Sequence, residues 1–562
     1  MNPFELSAEF VDTMATLWPV NATFQGVAGH DGEWNDYSLH GVERAREVLE
    51  GFRARHAALT VQSDFWQRLA ADFLGDTIDR YLLFYGTDDA LTDLNSMDSP
   101  VQHVRMVFDV MDTTARAGWE DIVRRLSTID RPLASYRSLL EDALARSRTP
   151  ARRQVRTVIE QCRHNAGEES FFRTLPATFR ASGLAGDELL ARLEAAVSPA
   201  CAAFGELADF IEQTLLPQAT EHDAVGRERY ARAVRRFLGA TVDLEETFAW
   251  GWEQVRGIAA EMREVASQIL PDGSVAEVLR LLNTDPTRAV ATREEFVAFM
   301  QARQERALAD LDTTAFDVPA EIRGVEVRIA PPGGSLGAYY IPPSEDLKRR
   351  GSIWYSLGET LPIPLWDQVS IAYHEGFPGH HLQCGLQVTF RERLSKLQRL
   401  EGYSGYAEGW ALYCERLMHE LGYYEKPDYL LGMLSCQMMR ACRVVIDIGC
   451  HLELPIPEDA PFHPGERWSF ELAVEMLETM AGMPRDHAES EVTRYFGWPA
   501  QAIAYNVGER LIVSLRREME AREGEAFRLK DFHNRVLGCG NVALDRLRDI
   551  VLSETLAEVA RA

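Results

Sequence analysis

Basic residues are scarce in this chain. Lys and Arg number 59 against 86 Asp and Glu, a formal net charge of −27 over 562 residues. A balance this acidic repels phosphate backbones and anionic lipid, which argues against nucleic acid and membrane surfaces as partners. Paired-cysteine signatures are missing. The eight cysteines (Cys162, Cys201, Cys384, Cys414, Cys436, Cys442, Cys450 and Cys539) form no C-x-x-C. They read as small buried hydrophobes in a reducing cytosol, not as disulfides or a thiolate metal site. Long apolar runs are absent as well: the longest, Leu430 to Met439, is far too short to span a bilayer. No basic region or apolar stretch follows Met1, so no secretion signal is read and the expected location is cytoplasmic. Solenoid repeats and low-complexity linkers are also missing.

What is present is ordinary globular material, 46% apolar and 26% charged. Residues 1 to about 40 mix short apolar patches with the breakers Gly26, Gly29 and Asp31-Gly32. Helical periodicity then dominates to about 320, over Val42–Ala58, Asp64–Tyr85, Val101–Leu126, Leu133–Arg148, Leu189–Leu216 and Arg227–Ile269. Pro132, Pro199, Pro217 and Pro271 punctuate it. From 321 to 358 the character changes. Val325–Ile329, Ala338–Ile341 and Ser352–Tyr355 read as short strands separated by proline and glycine turns. The expected fold is mainly α, with one small β element beside a metal-site helix. Residues 1–320 form a helical body and 321–562 a metal-site region, the two packed as one unit.

The chemistry concentrates at Ser370–Cys384. Three of the chain's 14 histidines, His374, His380 and His381, sit here with Glu375. Imidazole is a good ligand for a divalent transition metal, and a carboxylate beside the metal is a ready base. The familiar H-E-x-x-H places two histidines one helical turn apart, but position +4 from His374 is Pro378. In a straight helix His381, at +7, would lie about 10 Å along the axis, and His380, at +6, would face elsewhere. Pro378-Gly379 resolves this, because proline breaks the helix and glycine permits a sharp turn. A bend there folds His380 back toward His374, with His381 the competing ligand.

A third ligand must come from elsewhere. Glu408 lies 28 residues past His380, among Tyr406, Ala407, Gly409, Trp410 and Ala411. A carboxylate in such apolar surroundings needs a charged partner or a metal. Glu415 is its competitor, read as a salt-bridge or outer partner, with an exposed Glu415–His419 pair as the plainer alternative. Arg440, Arg443, Asp447 and His451 recur within apolar sequence and suggest a buried polar network, structural or supporting the ligands.

The H-E-x-x-P-G-H of residues 374–380 resembles the bacterial domain-of-unknown-function family 885, grouped with gluzincin-type zinc peptidases. Gly405–Tyr413 is similar to that family's G-Y-A-E-G-W-A-L-Y. Glu491–Gly508 resembles its E-x-x-R-Y…P-G-Q-A-x-x-Y-x-x-G, except that Ala500 replaces the usual glycine. The resemblance implies Zn²⁺ held by two histidines and a later glutamate. Within the last motif Tyr505 is a candidate phenol for an oxyanion. A buried core tyrosine is the alternative, and Arg494 and Tyr495 are lesser candidates for substrate contacts.

The expected function is a zinc metallopeptidase acting on peptide or small amide substrates. His374, His380 and Glu408 hold the metal, Glu375 is the base and Tyr505 assists. The rivals are other metal chemistry (redox, or a non-peptide amide), an inactive binding protein, and a serine hydrolase using Ser335 in Gly333-Gly-Ser-Leu-Gly337. The last lacks the strand-turn-helix setting of a nucleophile elbow.

Overall fold

Asn2 opens the first helix of the computed structural model, which describes residues 2–60, 64–184, 186–330, 337–344, 347–358 and 361–556. Its side chain accepts from the Glu5 amide while Glu5 bonds back to the Asn2 amide, and Pro3 takes the first helical position. This capping box sets helix Pro3–Leu17 in a stretch that reads by breakers alone as irregular.

That helix belongs to the first of two compact units, Met1–Val225 with Thr493–Trp498. Its core gathers Trp119, Tyr136, Phe172 and Phe204, all fully buried. Arg125 is buried there too. It donates through Nε and Nη2 to the carbonyls of His30 and Glu33 and to the Thr23 hydroxyl, while its Nη1 has no hydrogen-bond partner among the described residues. The expected helix Val101–Leu126 is interrupted: Pro100–Met106 and Arg116–Leu126 are separate. Between them the Asp112 side chain accepts from the Thr114 amide and turns the chain. Pro199, read as a breaker, lies inside helix Asp187–Phe210.

The second unit is Gly226–Val492 with Pro499–Ala562. The division falls at Val225/Gly226, not at 320. The cause is helix Leu244–Ile269, which lies along the core helix Pro427–Leu452 and so joins the metal-site region. The single helix expected over Arg227–Ile269 is two, Gly226–Leu238 and Leu244–Ile269, because Asp243 caps the second by accepting from Glu246. Pro427–Leu452, at 26 residues, is long and apolar enough to cross a membrane by length and composition. Here it is a core helix: 83% of its apolar window is buried within the protein, and it carries Arg440, Arg443 and Asp447 midway.

The small sheet forms as expected. Gly351–Ser356 is central, parallel to Val325–Ile329 and antiparallel to the edge strand Gly337–Ile341. Val325 and Val327 are anchored by Gln301 of helix Arg293–Leu311, which donates to the Val325 carbonyl and accepts from the Val327 amide. Two-residue strands Ala289–Val290 and Ile363–Pro364 pair separately. Ser335 lies outside the described residues. The eight cysteines are free thiols.

Candidate metal centre

Helix Gln368–Glu375 stops at Glu375 and a new helix, His380–Thr389, begins at His380. The loop between them is tightly fixed. The Gly379 amide donates to the Tyr373 carbonyl at 3.1 Å, and His381 donates to Gly376 at 3.2 Å. Gln304 accepts from the Phe377 amide, and the Trp410 indole donates to the Pro378 carbonyl at 2.9 Å. A Cβ on Gly379 would stand 2.0 Å from the His374 carbonyl oxygen, so only glycine fits this return. The bend brings the His374 and His380 rings to 4.9 Å between centroids, at 86°.

The third arm comes from helix Ser404–Glu420. Glu408 Oε2 lies 3.3 Å from His374 Nε2 and 3.5 Å from His380 Nε2. One ligand atom from each of the three residues falls within 4.8 Å of the others. Helix Ala504–Glu523 crosses this helix at a glycine pair, where a Cβ on Gly409 would meet the Gly508 carbonyl carbon at 2.4 Å. That close approach sets the Tyr505 ring nearly parallel to His374, 6.2 Å away and inclined by 20°.

The competitors separate cleanly. His381 is buried and used up: Nε2 meets the Ile322 carbonyl at 2.8 Å and Nδ1 the Tyr340 hydroxyl at 2.9 Å. Because the carbonyl only accepts, Nε2 carries the hydrogen and the phenol donates to Nδ1. Burial lowers the pKa of His381 to about 4. Glu415 is fully buried, which removes the exposed Glu415–His419 pairing. Its carboxylate takes the His374 Nδ1 hydrogen at 2.8 Å, the Ser370 hydroxyl at 2.7 Å and the Arg440 guanidinium at 3.0 Å. It therefore orients His374 so that Nε2 points at Glu408. Arg443 reaches Glu491 at 2.8 Å and lies 4.8 Å over the Tyr505 ring. Asp447 accepts from Tyr230 and from the Ala500 amide, each at 2.8 Å, which makes it structural. Arg494 and Tyr495 are buried with the first unit, and neither lines the cavity described next.

The cluster sits in a cavity of about 530 Å³ lined by His374, Glu375, His380, Glu408, Tyr505 and the edge strand at Ala338–Tyr340, among others. No hydrogen bond to the Glu375 carboxylate exists among the described residues, and burial pushes its pKa up against the pull of His380 and His374. Burial opposes the charge on His374, and Arg440 adds to that, yet Glu408 and Glu415 carry its pKa up to about 9. Burial also opposes the charge on Glu408, but the two imidazoles hold it well below the usual carboxylate range. Glu408 Oε2 is buried without a hydrogen bond among the described residues. Three carboxylates, Glu375, Glu408 and Glu415, thus converge on the two imidazoles and one guanidinium, Arg440. A carboxylate oxygen that lies between two imidazole nitrogens and has no hydrogen bond among the described residues fits a divalent cation by donor type.

A mainly α chain with a His-Glu cluster set by a broken helix is the class that fold and site define. The chain belongs to the family described as "Bacterial protein of unknown function (DUF885)", which matches residues 19–551. Among solved structures it is similar to one from Colwellia psychrerythraea described as a "putative lipoprotein", at 23% identity, TM-score 0.87 and 98% of both chains. Another, from Shewanella oneidensis, is described as a "putative lipoprotein of unknown function". It is 17% identical, with TM-score 0.74, covering 98% of this chain and 100% of the other. No curated protein matches.

Proposed function

We propose that this chain is a metal-dependent hydrolase of peptide or peptide-like amide bonds, with Zn²⁺ as the metal. The observation that carries the reading is Glu408 Oε2, buried with no hydrogen bond among the described residues and faced by the Nε2 atoms of His374 and His380 within 4.8 Å. A divalent cation held by these three residues supplies Lewis acidity and makes water a usable nucleophile near neutral pH.

The chain's own groups do the rest. Glu415, itself held by Ser370 and Arg440, keeps hydrogen on His374 Nδ1 and leaves Nε2 as the donor atom. Glu375 adjoins His374 in sequence and lines the cavity, with no hydrogen bond to its carboxylate among the described residues. It is placed to take a proton from the attacking water and to return it to the departing amide nitrogen. In this reading Tyr505, its ring 6.2 Å from that of His374 and beneath Arg443, donates its phenol hydrogen to a developing oxyanion. A cavity of about 530 Å³ suits short or extended substrates.

The test is Glu375→Gln assayed against a peptide library. The variant is expected to bind the metal as the parent does and to lose turnover. Full activity in that variant removes Glu375 from the mechanism.

A further inference from the structure

Two buried carboxamides, Gln383 and Asn541, line the cavity beside the His-Glu cluster, and the direction of each is fixed. Gln387, on helix His380–Thr389, donates through Nε2 to the carbonyls of Gln398 and Glu401. Carbonyls only accept, so the Gln387 atom turned to Gln383 is Oε1, which takes the Gln383 Nε2 hydrogen at 2.9 Å. Gln383 Oε1 is left as an acceptor. Its one contact among the described residues is the weak thiol donor of Cys384, at 3.4 Å. Asn541 is oriented the opposite way. The Tyr403 amide donates to Asn541 Oδ1 at 2.7 Å, which leaves Nδ2 as a donor with no hydrogen bond among the described residues.

Both groups are tied to the helices that carry the cluster. Gln383 lies three residues past His380, about 4.5 Å along the helix axis. Asn541 is bonded to Tyr403, which opens helix Ser404–Glu420 five residues before Glu408, about 7.5 Å along that axis. An extended chain advances about 3.4 Å per residue, so each offset corresponds to one or two residues of substrate. Beyond the cluster the lining carries one charge of each sign, Arg399 and Glu401, which favours neither a free carboxylate nor an ammonium. A peptide unit offers one carbonyl and one N–H, the complement of a fixed donor and a fixed acceptor. Buried polar groups short of partners are costly unless a ligand supplies them.

We infer that Gln383 and Asn541 bind the main chain of an extended peptide beside the scissile bond. Asn541 Nδ2 donates to a substrate carbonyl, and Gln383 Oε1 accepts a substrate N–H. The substrate class is therefore peptides with at least one further peptide unit, in preference to simple amides. This inference rests on the hydrolase reading, and the test separates the two.

The experiment measures binding of an acetylated tripeptide hydroxamate to the Zn²⁺-loaded full chain, beside ester analogues in which each peptide N–H in turn is replaced by oxygen. Acetohydroxamate, which reaches the metal but has no further peptide unit, is the reference, and metal content is determined on the same samples. One ester is expected to bind roughly tenfold more weakly than the peptide compound, in keeping with one hydrogen bond. In Gln383→Met that ratio falls close to one. Asn541→Asp still accepts the Tyr403 amide but has lost the donor. It is expected to bind the tripeptide compound roughly tenfold more weakly and acetohydroxamate as the parent does. Equal affinities for the peptide compound and every ester in the parent overturn the inference while metal binding stands. So does an unchanged ratio in Gln383→Met, or an Asn541→Asp variant that binds the tripeptide compound like the parent. Failure of the parent to take up metal overturns the hydrolase reading and this inference with it.

Discussion

Glu415 accepts the Nδ1 hydrogen of His374 at 2.8 Å, and in doing so leaves Nε2 aimed at Glu408. Both glutamates come from one helix, seven residues apart, and they meet the same imidazole on its two nitrogens. The one is wholly buried and hydrogen-bonded; the other faces the two imidazoles with an oxygen that has no hydrogen bond among the described residues. Their roles follow from that difference. Glu408→Ala is expected to abolish tight Zn²⁺ binding. Glu415→Gln keeps the site but weakens it, by about 10 to 100-fold for an outer partner of this kind. Competition with a chromogenic chelator measures both, and equal losses would contradict the assignment.

The two neighbouring histidines divide in the same way. His380→Ala should remove metal. His381→Ala should retain a full equivalent but lower stability by roughly 1–3 kcal/mol, because the Ile322 carbonyl and the Tyr340 hydroxyl lose a buried partner. Metal content and thermal melts on the two variants check this. Metal loss on His381→Ala with His380→Ala unaffected would reverse the choice of ligand.

Protons compete with the metal in a defined direction. In the metal-free protein His374 titrates at about 9, since Glu408 and Glu415 outweigh burial and Arg440. Only the neutral imidazole ligates, so below that pH a proton must leave on binding. Affinity for Zn²⁺ therefore falls as pH falls from about 9, by up to roughly tenfold per unit for the one proton. Calorimetric titrations at several pH values read the slope. A flat profile would show that His374 is not a ligand.

Ala500 adopts a left-handed backbone, at φ 66°, where its amide reaches Asp447. A Cβ is strained in that region and glycine is not. Ala500→Gly is expected to stabilise the fold by about 1 kcal/mol without altering metal content, and denaturant melts measure it. A destabilised variant would mean that the alanine methyl contributes more in packing than it loses in strain.

Much of the centre is legible in the sequence because its key device is local. Pro378-Gly379 announces a break, and the break is what turns His380 back. Glu408 stands out as a charge among small and aromatic neighbours. The choice between His380 and His381 is not local. It is decided by Ile322, nearly sixty residues away, whose carbonyl occupies His381. The Glu415–Arg440 pair joins two helices, so neither residue alone signals it. The edge of the second unit escapes for a similar reason, since periodicity reports that Leu244–Ile269 is a helix but not that it lies along Pro427–Leu452. The first helix was within reach: Asn2, Pro3 and Glu5 spell a capping box that a search for breakers passes over.

The most direct test of the account is the metal stoichiometry of the purified, untreated chain, read by elemental analysis beside His380→Ala and Glu375→Gln. The account predicts about one Zn²⁺ per chain in the parent and in Glu375→Gln, and little or none in His380→Ala. A parent that remains metal-free even after incubation with Zn²⁺, or a His380→Ala variant that binds as well as the parent, would contradict it.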